Sequence, residues 1–200
     1  MSPSRDSAPW RPLPGPTTVP WFVGCLLILL LFPAPAHAQA GDPGDALTSF
    51  YLRIISAHFG IPPSEGTNLV EDLAAAQELP VLLHLARETG LAPTAILPRR
   101  QRGGVAWVAL ARELGVGSGI YHVELAPDEV DEPVRQAVER FNATPRAGWA
   151  NLEFSDEEVV ALVHLRVLSR QFGVSKGAVL AAYHSSGSWV ECIRHLMGTP

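Results

Sequence analysis

From Asp45 onward, apolar residues return every three or four positions, the spacing of one buried helix face. Start and stop signals divide this pattern into segments. Asp45–Phe59 reads as a first helix, closed by Gly60 and the Pro62-Pro63 pair. Asn68-Leu69-Val70-Glu71 has the cap-x-x-Glu form and predicts the start of a second, short helix. Glu78–Thr89 is a third, ended by Gly90, and Pro93 suits the first turn of a fourth that runs to about Arg100. Gly104–Leu114 and Asp128–Phe141 follow, the latter with acidic residues where the helix dipole favours them. Ser155-Asp156-Glu157-Glu158 is a capping box that opens the longest helix, to Phe172. Ser175 caps the next, to about His184, and Ser188 the last, to about Met197. Period-two alternation occurs only in Gly119–Leu125 (GIYHVEL), so one short β element at most is expected there. Arg140–Leu152 reads as a loop.

The pattern repeats. Gly90-Leu91-Ala92-Pro93-Thr94-Ala95-Ile96-Leu97 aligns with Gly173-Val174-Ser175-Lys176-Gly177-Ala178-Val179-Leu180, and Trp107-Val108 then aligns with Trp189-Val190. Each copy predicts a helix ending in glycine, a second helix, a glycine-containing turn, and a tryptophan that opens a third helix. One such unit cannot cover its own apolar face, but two packed together can. The predicted fold is mainly α: a small orthogonal helical domain of two repeated helix-turn-helix-like units, about 78–115 and 155–198. A variable middle segment, 116–154, separates them.

The first forty residues have a different grain. Arg5 and Arg11 precede an unbroken apolar run, Trp21–Phe32, which Pro33 stops. Ala36 and Ala38 then stand where a small-residue cleavage site needs them. Residues 1–38 are therefore expected to be a secretory signal peptide, and 39–200 a single helical domain. A run of 12 residues is too short to span a bilayer, which takes roughly 20.

Composition limits the partners. The chain has 200 residues, 47% of them hydrophobic, and a formal charge of −5. Cleavage after Ala38 would leave 13 basic and 19 acidic residues. An acidic domain is a poor partner for nucleic acid, and contact with a membrane is expected only through the signal peptide before cleavage. Of the two cysteines, Cys25 would leave with the signal and Cys192 would remain alone.

Candidate chemistry is sparse. The histidines have no metal-ligand spacing, and the acidic runs fall at helix starts, so no catalytic residue, metal or cofactor is assigned. Trp107 and Trp189 read as core anchors. Arg99, Arg100 and Arg102 form the one local basic cluster, in a turn where the second copy has none. With Arg146 and Trp149, in the middle segment outside the repeat, they are the candidate anion- or partner-binding residues.

Two resemblances bear on function. Leu79-Pro80-Val81-Leu82-Leu83, Leu85-Ala86, Gly90-Leu91, Pro93 and Trp107, with Leu168-Ser169 and Phe172-Gly173-Val174, resemble a group of uncharacterised exported bacterial proteins with tandem helix-turn-helix-like helical units. The likeness runs from about Phe50 to Leu196 and rests on structural motifs. The group has a middle loop rich in Tyr, Gly and Pro, whereas here the middle is acidic (PDEVDEPVRQAVERF). Leu110–Val116 and Phe172–Ser175 also resemble the turn of helix-turn-helix regulators. The expected function is a non-enzymatic exported structural or protein-binding module of the bacterial cell envelope, partnered by another envelope protein. Two alternatives stand beside it: a periplasmic hydrolase or peptidoglycan-acting enzyme, and a membrane-anchored helix-turn-helix regulator.

Overall fold

The apolar run Val159–Leu168 (VVALVHLRVL) decides the architecture, because only a helix surrounded by other helices can bury it. In the computed structural model, which describes residues 43–125 and 129–198, this run lies in the helix Asp156–Phe172 (α7). The other helices are α1 (Pro43–Phe59), α2 (Pro63–Glu71), α3 (Leu79–Thr89), α4 (Pro93–Gln101), α5 (Trp107–Glu113), α6 (Arg135–Ala143), α8 (Lys176–Ser186) and α9 (Trp189–Met197). Helices α1, α3, α5, α8 and α9 all pack against α7. Residues Val159–Leu165, Val167 and Leu168 are buried, leaving Arg166 as the one residue of the run that reaches toward solvent. The fold is mainly α, and the described residues contain no strand.

Local chemistry accounts for the helix ends. The Ser155 side chain accepts from the Glu158 N–H at 3.1 Å, and Glu158 Oε2 accepts from the Ser155 N–H at 2.8 Å. This closes the predicted capping box, which is worth about 1 kcal/mol. Ser175 caps α8 in the same way through Ala178. Gly90 and Gly173, at φ 70° and 66°, end α3 and α7 in the left-handed region, where a Cβ would cost roughly 1 kcal/mol. After each glycine come a second helix and then a third that begins at a buried tryptophan, Trp107 (0% exposed) or Trp189 (2%). The two differ in surroundings. Trp189 stacks on Tyr183 and on His164, at centroid distances of 4.0 and 4.8 Å. Trp107 lies beneath the Arg100 guanidinium at 4.7 Å.

Several elements depart from the sequence reading. The expected β element near 119–125 is a 3-10 turn, Ser118–Tyr121, followed by irregular chain. Alternation supplies two faces, but a strand also needs a partner, and none lies beside this segment among the described residues. Helix α2 begins at Pro63, because proline at the first helical position forfeits no hydrogen bond; Asn68 therefore lies inside the helix. Helix α6 begins at Arg135, not Asp128, since Pro133 would fall in the interior of the longer helix. The expected loop 140–152 is largely the end of α6 and a 3-10 segment, Arg146–Asn151. Ser188 occupies the N-cap of α9, but its side chain makes no capping bond. The signal-peptide residues, with Ala36 and Ala38, lie outside the described residues. No helix among the described residues is long and apolar enough to cross a membrane.

Candidate binding site: a cationic trough

Arg166 leaves the buried face of α7 beneath the segment 118–125. Its Nη1 donates to the Ile120 carbonyl at 2.9 Å and its Nη2 to the His122 carbonyl. The same Nη1 lies 2.8 Å from Nε2 of His84, on α3. Arg87 Nη2 lies 3.1 Å from His84 Nδ1, and His84 Nε2 lies 3.0 Å from the Ile120 carbonyl, so both ring nitrogens are engaged. Burial foremost, with Arg166 and Arg87 adding repulsion, lowers the His84 pKa to about 4. The ring is a neutral pillar under the 118–125 segment.

A second support comes from the middle of the chain. Ser118 Oγ donates to the Leu152 carbonyl, and Gly117, at φ 66°, lets the chain pass Ala150. A Cβ on Gly117 would stand 2.8 Å from Ala150 Cβ and 2.9 Å from its Cα. This close approach sets Trp149 against His122, with ring centroids 4.2 Å apart and planes 28° apart. Trp149 is half-buried, and its Nε1 donates to the Thr144 carbonyl at 2.8 Å and the Phe141 carbonyl at 3.2 Å. Arg146 lies over its ring at 5.6 Å.

Two depressions flank this segment. The first, about 470 Å³, is lined by Val116, Ile120, His122, Arg146, Trp149 and Arg166. The second, about 510 Å³, is lined by Arg87, Glu88, His122, Glu124, Arg166, Arg170 and Lys176. His122 and Arg166 border both, so the two form one trough. Five cationic side chains face two carboxylates along it. Burial first, then Arg166 and Arg146, lowers the His122 pKa and holds that ring neutral near pH 7. Burial, with repulsion from Arg87 and Arg170, also lowers the Arg166 pKa.

The charges here differ from those elsewhere on the surface. Among the described residues, Arg87, Arg99, Arg100, Arg112, Arg135, Arg140 and Arg194 each have a carboxylate within ion-pair distance. Arg53, Arg102, Arg146, Arg166, Arg170 and Lys176 have none, and the last four line the trough. An unpaired cation retains donors for an incoming anion, whereas a paired one must first give up its carboxylate.

The sequence candidates separate accordingly. Arg146 and Trp149 meet at the trough. Arg99, Arg100 and Arg102 do not act together. Arg100 is 12% exposed and bonds Glu78 and Asp156, each at 2.8 Å, and also the Val105 carbonyl. Arg99 pairs with Glu113 at 3.2 Å, and Arg102 Nε donates to the Pro98 carbonyl at 3.1 Å. Asp156 Oδ1 also accepts from the Trp107 N–H at 2.8 Å, so Arg100 belongs to a junction between α4, α5 and α7. Arg166, Arg170, Lys176 and His122 are trough residues that the sequence reading did not single out. Arg166 had a usable signal, as the lone cation in a ten-residue apolar run.

Reactive side chains elsewhere are engaged in packing. His164 donates from Nδ1 to the Val160 carbonyl at 2.7 Å and accepts at Nε2 from the Tyr51 hydroxyl at 2.8 Å. Burial lowers its pKa to about 4. Cys192 is fully buried, and burial pushes its thiol up to about 12. No group of three or more His, Cys, Asp or Glu side chains among the described residues could hold a metal ion. In comparisons with known proteins, no family model, curated protein or solved structure matched the chain.

Proposed function

We propose that this protein is a non-enzymatic, exported helical module of the cell envelope that binds an acidic partner protein through the trough at His122 and Arg166. The observation that carries this reading is the gathering of Arg146, Arg166, Arg170 and Lys176, all without carboxylate partners, on one face of a chain whose net charge is negative. A local field opposite in sign to the whole molecule selects partners and orients them.

The test uses the full chain and labelled polyglutamate, titrated by fluorescence anisotropy. Saturable binding is expected, weakening steeply as salt rises from about 0.05 to 0.5 M. The charge reversals Arg146→Glu, Arg170→Glu and Lys176→Glu together should weaken it at least about tenfold, or 1.4 kcal/mol. Reversal at Arg99 and Arg102 should leave it within about twofold. Binding that ignores the trough reversals would sink the reading. Export is tested by cell fractionation with intact mass: a product beginning at Gln39 outside the cytoplasm supports it, and an uncleaved cytoplasmic chain overturns it.

A further inference from the structure

The trough's central segment carries an unusual backbone. Tyr121 and Val123 are buried, His122 is half-buried and Glu124 is exposed, which is the in-out alternation of a strand. At His122 the chain has φ −55° and ψ 128°, near the polyproline II region. His122 spends its own backbone groups within the molecule: its N–H donates to the Gly119 carbonyl at 3.2 Å, and its carbonyl accepts from Arg166. The N–H and C=O groups of Val123 and Glu124, by contrast, have no hydrogen-bond partner among the described residues. Backbone groups at a buried residue such as Val123 are nearly always paired. These groups border the second depression, beside Arg87, Arg170 and Lys176.

We infer that Val123–Glu124 is a docking edge, on which an extended acidic peptide of the partner pairs its backbone while its carboxylates reach Arg170 and Lys176 on one side and Arg146 on the other. This rests on the trough reading above and specifies how the trough is used. Strand addition gives affinity through main-chain hydrogen bonds, and the flanking side chains give specificity. Arg166 is a positioning residue: its Nη2 holds the His122 carbonyl and so fixes the chain just before Val123. The exposed carboxylate of Glu124 disfavours a glutamate directly opposite it and so helps set the register.

The experiment titrates the full chain with an acetylated alternating glutamate–valine peptide of about ten residues, long enough to cover a short strand edge. A second peptide has the same sequence with alternate backbone nitrogens methylated, which removes donors and leaves the charge unchanged. The first should bind, and the methylated one should bind at least about tenfold more weakly. Hydrogen exchange supplies a readout that charge alone would not move: the Val123 amide should slow at least about tenfold with the unmethylated peptide only. Equal binding of both peptides, with no slowing at Val123, overturns strand addition and leaves the acidic-partner reading intact. Binding of polyglutamate without binding of the alternating peptide does the same. Failure of all three ligands overturns both. An uncharged glutamine–valine peptide that binds as tightly as the acidic one overturns the charge selection.

Discussion

Arginine has three uses in this protein, and adjacent residues show two of them. Arg100 turns inward, covers the Trp107 ring and bonds two carboxylates and a carbonyl. Arg99 stays outside, in one exposed pair. Removing one partner of a largely buried ion pair strands the other charge, whereas an exposed pair is screened and contributes little. Arg100→Met should therefore lower unfolding free energy by about 2–4 kcal/mol, since Glu78 and Asp156 lose their shared cation. Arg99→Met should change it by less than about 0.5 kcal/mol. Urea denaturation of the two variants checks this. Equal effects would mean that Arg100 is not the anchor of the α4–α5–α7 junction. In the trough the same side chain has a third use: Arg166 is bonded only by neutral groups, so its charge remains available.

At the scale of elements, helix ends show which local signals act. Ser155 and Ser188 both occupy N-cap positions, and both follow from the sequence. Each has a glutamate three residues on, Glu158 and Glu191, but of the two only Glu158 closes a box and only the Ser155 side chain accepts a helix N–H. Ser155→Ala should cost about 1 kcal/mol, within the range for lost caps. Ser188→Ala should cost no more than a few tenths, because no capping bond exists to lose. Thermal melts of the two variants separate the cases, and similar losses would show that Ser188 caps α9 after all. Helix stops were legible for the same local reason, as Gly90 and Gly173 need no tertiary information to terminate a helix. The start of α6 and the 118–125 segment were harder. Pro133 outweighs the acidic run before it, and alternation without a neighbouring strand leaves an extended chain with no sheet to join.

For the whole molecule, the two buried histidines make stability depend on pH. His84 and His164 are neutral in the fold, with pKa values lowered from about 6.5 to about 4. Between these values the unfolded chain binds more protons than the folded one, so stability falls as pH falls. The contribution is complete above about pH 6.5 and disappears as pH approaches 4. Each histidine can account for up to about 3 kcal/mol across that window. The urea midpoint should drop steadily from pH 7 to pH 4.5, and His164→Gln should flatten part of the drop. A midpoint constant over this range would mean that both rings accept a proton without cost.

The sequence by itself determined the helical class, the ends of α3 and α7, the caps of α7 and α8 and the burial of Trp107 and Trp189. Each depends on residues within a turn or two of one another, or on an apolar period that any compact chain must bury. It also singled out Arg146 and Trp149, which stand apart from the packing pattern. Only the tertiary structure decided that Arg100 is structural while Arg146 lines a trough, and that Arg166, Arg170 and Lys176 complete that trough with His122. Which carboxylate stands beside a given arginine depends on contacts between helices far apart in the chain. A cation's availability is therefore a property of the fold, not of its neighbours in sequence.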